Sequence, residues 1–383
     1  MKIGIPKEIL KGETRVAIIP PHVSFLKKDD HEIYVETGAG NASMCRDDYY
    51  KEYGAGIVDV STVYESSDVI FKVRPPTKHP QLSKHEAGLL KEGSTYIGFL
   101  APLSNMDVIR TFAERNITSF SLEFLPRITR AQGMDALSSM ANLSGYKAVV
   151  MAADRLGKIF PLMMTAAGTI QASVVLVLGA GVAGLQAIAT AKRLGARVEA
   201  FDPRPAVKEQ VESLGASFIE MELPEEVETK GGYAKELSED FIKKEMEAIS
   251  KRLPKVDAVI TTAQVFGKRA PVLISEKMVT LMKPGSIIID LAAEQGGNCE
   301  LTVAGKEIEE HGVTIVGVEN LPATIPVHSS QLYSRNIVTL FHHLYYKQNN
   351  YTLNFDDEIT KSACITHNGE IINETVMNSV TTT

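Results

Sequence analysis

The run Gly179-Ala180-Gly181-Val182-Ala183-Gly184 restricts what this chain can fold into more than any other stretch. Glycines at this spacing suit a strand that turns sharply into a helix while its backbone lies close to a second object. The spacing alone is a weak signal, but here the context fits. The run Val174-Val175-Leu176-Val177-Leu178 precedes it, a helical pattern over Leu185–Leu194 follows it, and a second strand candidate ends at Asp202, eighteen residues past Gly184. That arrangement aims backbone N–H groups at a pyrophosphate from a helix N-terminus. Gly179, Gly181, Val182, Ala183 and Gly184 are therefore expected on the phosphate side. Asp202 is expected to accept from the adenosine ribose hydroxyls, which points to NAD(H). Arg204 and Lys208 follow that strand, where a cation can hold the 2′-phosphate of NADP(H). Asp202 would repel that phosphate, so NAD(H) is favoured, with Arg204 counted among the nucleotide-side residues.

The rest of the chain repeats the same rhythm. Strand candidates at Lys2–Ile5, Glu32–Glu36, Val69–Val73, Thr95–Leu100 and Thr118–Leu122 are separated by amphipathic stretches such as Met106–Glu114. A second series, Ser173–Leu178, Arg197–Phe201, Ser217–Glu220, Ala258–Thr261, Ser286–Asp290 and Thr314–Val316, matches the six strands of a dinucleotide-binding domain. The expected fold class is α/β, with two Rossmann-like domains built on parallel sheets. The expected domains are 1–135 completed by 325–383, and 136–324. A polar, basic loop over Pro126–Asp135 leads into one long helix, Ala136–Leu156, whose Ala141, Gly145 and Ala148 suit a close helix contact. Ser330–Tyr346 reads as helix, and the last thirty or so residues are polar and weakly patterned. Met221–Lys235, acidic and then glycine-rich, reads as a long surface loop, either a lid or a passive insertion. Small residues at Thr261-Thr262-Ala263 and around Asp290–Asn298, at strand carboxyl ends, leave room for a nicotinamide ring, with Ala263 among its neighbours.

Other classes are disfavoured. A net charge of −7 argues against nucleic acid as the main partner. The three cysteines, Cys45, Cys299 and Cys364, form no CxxC pair, so neither a disulfide framework nor a metal site is expected, and a reducing compartment is. The amino terminus is too charged for a signal peptide. Ser173–Ala191 is long enough to span a bilayer, but its glycines fit the nucleotide turn better.

Several segments together carry a resemblance. Pro6-Lys7-Glu8, Glu13-Thr14-Arg15-Val16-Ala17, Leu178–Gly184 and Gln295-Gly296-Gly297 are similar to the superfamily of alanine dehydrogenase and the amino-terminal part of proton-translocating nicotinamide nucleotide transhydrogenase. An alanine dehydrogenase would carry a lysine where this chain has Arg74, a histidine where Thr95-Tyr96-Ile97 is followed by Gly98-Phe99-Leu100-Ala101, and an aspartate where it has Glu294. Arg15 matches the arginine of both groups and does not discriminate. The transhydrogenase resemblance runs from Met1 to about Glu370 and is most specific over Arg127–Asn142. It implies that Arg127, Gln132, Asp135 and Ser138 position the nicotinamide, with Arg127 and Asp135 paired, in a cleft between the domains. It implies that Gly231-Gly232-Tyr233-Ala234-Lys235 closes over bound nucleotide, with Tyr233 in contact. Gln331-Leu332-Tyr333 fits as well, whereas Ala263-Gln264-Val265-Phe266-Gly267 departs from the pattern. The resemblance implies a homodimer that binds NAD(H) beside a partner domain or subunit binding NADP(H) and a membrane proton-channel domain. The chain itself would be soluble, on the cytoplasmic or matrix side of that complex. The alternative is an NAD-dependent alanine dehydrogenase.

Overall fold

A computed structural model describes residues 1–221, 239–265, 267–345 and 352–380. The chain divides into two compact units, Met1–Met140 with Pro322–Thr383, and Ala141–Leu321. The first division falls inside one helix, Ala136–Arg155.

The first unit is built on β1 (Lys2–Ile5), β2 (Glu32–Glu36), β3 (Gly56–Val58), β4 (Val69–Phe71), β5 (Thr95–Gly98) and β6 (Thr118–Ser121). The second holds a hairpin, β7 (Met163–Thr165) and β8 (Gly168–Ile170), and a sheet of β9 (Val174–Leu178), β10 (Arg197–Phe201), β11 (Ser217–Phe218), β12 (Ala258–Thr261), β13 (Ile287–Asp290), β14 (Glu307–Glu310) and β15 (Val313–Gly317). The end of the chain returns to the first unit with β16 (Cys364–His367) and β17 (Glu370–Ile371).

In the first unit the strand order is β17-β16-β6-β5-β4-β1-β2-β3. β1 to β6 are mutually parallel, and the order reverses between β4 and β1. β4 and β5 are buried along their whole length, as strands covered on both faces must be. Two details go beyond what the sequence pattern indicates. The sheet is not wholly parallel, because β16 runs antiparallel to both β6 and β17. The tail is ordered too, because Ser119 Oγ and Thr366 Oγ1 lie 2.7 Å apart and Thr366 Oγ1 donates to Ile117 O at 2.7 Å. The Pro326–Leu344 helix opens with proline in its first turn, where no intrahelical N–H is needed. It buries Tyr333, Ile337, Leu340, Phe341 and Leu344 at spacings of three and four.

The second sheet has the order β11-β10-β9-β12-β13-β15-β14. The first six are parallel and follow the doubly wound dinucleotide-binding order; β14 is an antiparallel edge that the sequence reading did not foresee. β9 explains its own composition. Val175 and Val177 enter one core, Leu176 and Leu178 the other, and all four are fully buried. Ala148, Val149 and Ala152 of the long helix pack with Ala187, Ile188 and Ala191 of the Val182–Arg193 helix. Gly145 makes this possible, since a Cβ there would lie 2.1 Å from Ala183 O. The small-residue stripe is thus occupied within the unit and is not a free surface for a second chain.

Candidate functional site

The three glycines of the turn each meet a different environment. Gly179 has φ +97°, in the left-handed region that a side chain resists. A Cβ on Gly184 would stand 1.8 Å from Gly179 O, so this glycine seats the helix on the strand. A Cβ on Gly181 would meet nothing within 4 Å, which leaves the approach to the N-terminus of the Val182–Arg193 helix open. One turn, one close packing and one clear approach form the cradle that a pyrophosphate requires. Val182 is exposed and Ala183 half-buried in the first helical turn.

Asp202, at the end of β10, is 4% exposed. Its Oδ2 accepts from Ala180 N at 2.7 Å, tying it to the glycine turn. Its Oδ1 accepts from Arg204 N and Arg204 Nε, each at 2.9 Å, and Arg204 Nη2 reaches Oδ2 at 2.9 Å. Arg204 therefore clamps Asp202 in a fork. Lys208, the other cation seen in the sequence, pairs with Glu220.

The third loop at the carboxyl edge is braced by two side chains whose role sequence reasoning missed. Asn298 accepts from Ala263 N at 3.0 Å and donates to Ala263 O and Pro271 O at 2.8 Å. Fully buried Asp290 accepts from Thr261 Oγ1, Ala292 N, Asn298 N, Cys299 N and Thr302 Oγ1. Position at the end of β13 was the available signal, since a carboxylate there meets the free N–H groups of the loop that follows.

In the first unit, residues Thr129–Met134 form a 3-10 helix where the sequence suggests a loop. Ala131 and Met134 anchor it inward, while Gln132 and Arg127 are exposed. Asn336, another residue not foreseen, donates to Gly133 O at 2.9 Å and fixes the segment. Asp135 caps the long helix, accepting from Ser138 N at 2.8 Å and Ser138 Oγ at 2.5 Å. Tyr233 and the rest of Gly231–Lys235 lie outside the described residues, as does Phe266.

At the strand reversal of this unit sits a buried charge cluster. Lys72 Nζ lies 2.6 Å from Glu86 Oε1 and 3.5 Å from Glu8 Oε2. Tyr64 donates to Glu86 at 2.5 Å, and Glu8 Oε1 accepts from Val73 N at 2.6 Å. Burial raises the Glu8 carboxyl against the pull of Lys72. Burial would lower Lys72, but Glu8 and Glu86 together keep it raised. Arg15 is held by Glu13 through two bonds of 2.8 and 2.6 Å. Glu294 accepts from Asn320 N at 2.6 Å. These groups are engaged in structure, as are those beside Arg74: Glu8 Oε2 accepts from Arg74 N at 3.4 Å and Tyr96 Oη donates to Arg74 O at 3.0 Å. The described residues contain no group of His, Cys, Asp and Glu able to hold a metal ion. No helix among them is long and apolar enough to cross a membrane.

Comparison with known proteins identifies the family. The family model for the alanine dehydrogenase/PNT N-terminal domain matches residues 4–144, and that for the C-terminal domain matches 148–374. The chain belongs to the alanine dehydrogenase/PNT family. Within that family it is 47% identical over 376 residues to the first segment of NAD(P) transhydrogenase subunit alpha from Rhodospirillum rubrum, covering 97% of this chain and 98% of that one. The counterpart from Rickettsia prowazekii (strain Madrid E) is 45% identical, over 97% and 96% of the two chains. An alanine dehydrogenase of Methanococcus maripaludis is 28% identical over 85% and 82%. A solved transhydrogenase structure from Sinorhizobium meliloti superposes with a TM-score of 0.84 at 40% identity, covering 98% of this chain and all of that one. Within the alanine dehydrogenase/PNT family, then, the chain stands with the transhydrogenase alpha subunits, where Arg74, Gly98 and Glu294 need not do dehydrogenase chemistry.

Proposed function

We propose that this chain binds NAD(H) at the Gly179–Gly184 turn and passes hydride between it and NADP(H) held by a separate transhydrogenase domain or subunit. A membrane domain outside this chain would couple the exchange to proton movement. The glycine turn carries the reading: it combines a clear approach at Gly181 with a carboxylate, Asp202, fixed against the same backbone. In the balanced reaction NADH loses a hydride to NADP+, giving NAD+ and NADPH, with no proton exchanged at the reacting carbon. Such chemistry asks for positioning rather than for an acid or base. Arg74, Gly98 and Glu294, at the positions where a dehydrogenase would carry its lysine, histidine and aspartate, fit it.

The chain's own residues then have distinct tasks. Gly181, Val182 and Ala183 would present backbone N–H groups to the pyrophosphate, and Asp202 would take the adenosine ribose hydroxyls. Arg127, Asp135 and Ser138 would orient the nicotinamide amide, with Ala263 beside the ring. Gln132, exposed on a segment fixed by Asn336, would align the second nucleotide. Tyr233 would close over the bound nucleotide. We further infer a homodimer. The β7–β8 hairpin supports it, because Leu162, Met163, Met164 and Ile170 are all exposed on it.

The test is a mixing experiment. Purified chain, NADH and an NADP(H)-binding transhydrogenase domain carrying an NADP+ analogue should exchange hydride in a single turnover, while the chain alone forms no NADH from alanine and NAD+. Alanine-dependent NADH formation, or no exchange despite NADH binding, overturns the reading.

A further inference from the structure

The face of the second unit that carries Asp202 holds another carboxyl, so far without a role. Glu245 lies on the Glu239–Ser250 helix and is 3% exposed. Ile249, one turn further along the same face, packs with Leu176, Leu178 and Phe201 at the ends of β9 and β10. Glu245 is thus carried into the interior on the side of the sheet whose core includes Phe201, the last residue of β10. A carboxyl taken into the interior is costly to ionise unless charge or hydrogen bonds meet it.

We propose that Glu245 is a second carboxyl of the adenosine-ribose site and that, with Asp202, it selects against nucleotides bearing a 2′-phosphate. This rests on the nucleotide reading above. Charged groups stand on each element nearby: Asp202 and Arg204 past β10, Arg197 and Glu199 within it, Glu220 past β11, and Lys243, Lys244, Glu247 and Lys251 on the same helix. Several of these are paired with one another. Arg204 is forked onto Asp202, Lys251 meets Glu247 at 2.9 Å, and Arg252 lies 3.7 Å from Glu199. Asp202 is the charge that acts on Glu245. Burial first, and then that charge, push the Glu245 carboxyl up to about 7.

The consequence follows from charge. With Glu245 protonated, Asp202 and Arg204 cancel and the site is neutral. With Glu245 ionised the site carries one net negative charge. A ribose 2′-hydroxyl is a donor and tolerates either state, whereas a 2′-phosphate meets like charge. A guanidinium just past the second strand would ordinarily welcome that phosphate, but here Asp202 already occupies it. Preference for NADH over NADPH should therefore strengthen as pH rises through neutrality.

NADH and NADPH affinities should be measured by nucleotide fluorescence at about pH 6 and about pH 8 for the wild type, Glu245→Gln and Glu245→Asp. The 2′-phosphate titrates near pH 6 itself, so the readout is the difference in slope between proteins. The affinity ratio should rise with pH on the order of tenfold more in the wild type than in Glu245→Gln. Glu245→Asp, which keeps a carboxyl, should retain a pH-dependent ratio, as a merely structural role would not require. Equal slopes in the wild type and Glu245→Gln overturn the proposal. Should Glu245→Gln not fold, a Glu245→Asp or wild-type ratio no steeper than the phosphate titration predicts overturns it equally. Failure of the wild type to bind NADH at either pH overturns the nucleotide reading instead.

Discussion

Gly145→Ala tests how closely the long helix is seated on the nucleotide turn. In an open helical position alanine is more favourable than glycine by about 1 kcal/mol. At 145 the new Cβ would stand 2.1 Å from Ala183 O and 2.9 Å from Ala183 C, whereas ordinary contact begins at 3.4 Å. Both neighbours are backbone atoms in the first turn of the Val182–Arg193 helix, so no side-chain rotation relieves the clash. The two backbones must part by roughly 1 Å, and overpacking that only backbone movement can relieve costs about 2–3 kcal/mol, the upper part of the usual range. Against the helical gain, a net loss of about 1–2 kcal/mol is expected, worth about 2–4 °C in Tm per kcal/mol for a unit of this size. Ala183 would move with its N–H, so NADH should bind more weakly as well. Gly181→Ala is the companion. Gly181 has φ −76° and nothing within 4 Å of a Cβ, so Tm should change by no more than about 1 kcal/mol would cause. Its methyl would occupy the pyrophosphate approach, so NADH affinity should fall sharply. Thermal unfolding by circular dichroism and NADH titration measure both. A Gly145→Ala protein as stable as the wild type, or a Gly181→Ala protein that binds NADH normally, refutes the reasoning.

Gln132→Asn shortens an exposed arm by one methylene, and should leave NADH affinity unchanged while hydride transfer to the partner domain falls on the order of 100-fold; loss of both together would remove Gln132 from the aligning role. Lys72→Met leaves the Glu8 and Glu86 carboxyls buried without their cation and should cost about 3–5 kcal/mol in urea unfolding, so a change below about 1 kcal/mol would mean that the cluster is not an ion pair. Burial would raise Asp357, but hydrogen bonds from His343, Thr360 N and Arg130 hold it down at about 2. Its contribution, about 1 kcal/mol after solvent screening, is present above the unfolded pKa near 3.8 and lost as pH falls towards 2; Asp357→Asn should flatten the acid limb of stability over that window and no other. Sedimentation should give a mass near twice 41.8 kDa, and Met164→Glu with Ile170→Glu on the hairpin should reduce it to one chain; a dimer that survives both changes pairs elsewhere.

The interior of the fold was legible because its strands are continuous apolar runs. β1, β2, β10 and β12 fall on the residues that periodicity indicates, bounded by charge, proline or glycine. The misses share a cause. Cys364–His367 has no pattern of its own and becomes a strand only by pairing with β6, roughly 240 residues earlier in the chain. Met163–Ile170 lacks the alternation of a half-buried hairpin because both of its strands are exposed. At the site, the glycine spacing and Asp202 could be read directly, since backbone geometry dictates those residue types. Asn298, Asp290 and Asn336 could not, because each matters through loop N–H or carbonyl groups that sequence does not bring together. Glu245 escaped because a charged residue on an amphipathic helix reads as solvent-facing. Asp135 also caps the long helix through local hydrogen bonds from Ser138, a task open to any carboxylate directly before a helical run.

The return of β16 to the edge of β6 has a consequence for biosynthesis. The chain leaves the ribosome with β6 complete roughly 240 residues before its antiparallel neighbour exists. At about 5–20 residues per second that interval lasts about 10–50 s. The Ala141–Leu321 unit is continuous and can collapse while translation proceeds, whereas the amino-terminal sheet waits with an unpaired edge. Order of emergence and order of completion are therefore inverted: the section made first is finished last. During that wait the row of free N–H and C=O groups on β6 is the place where a chaperone has most to protect, and where a neighbouring nascent chain on the same message has most opportunity to pair wrongly.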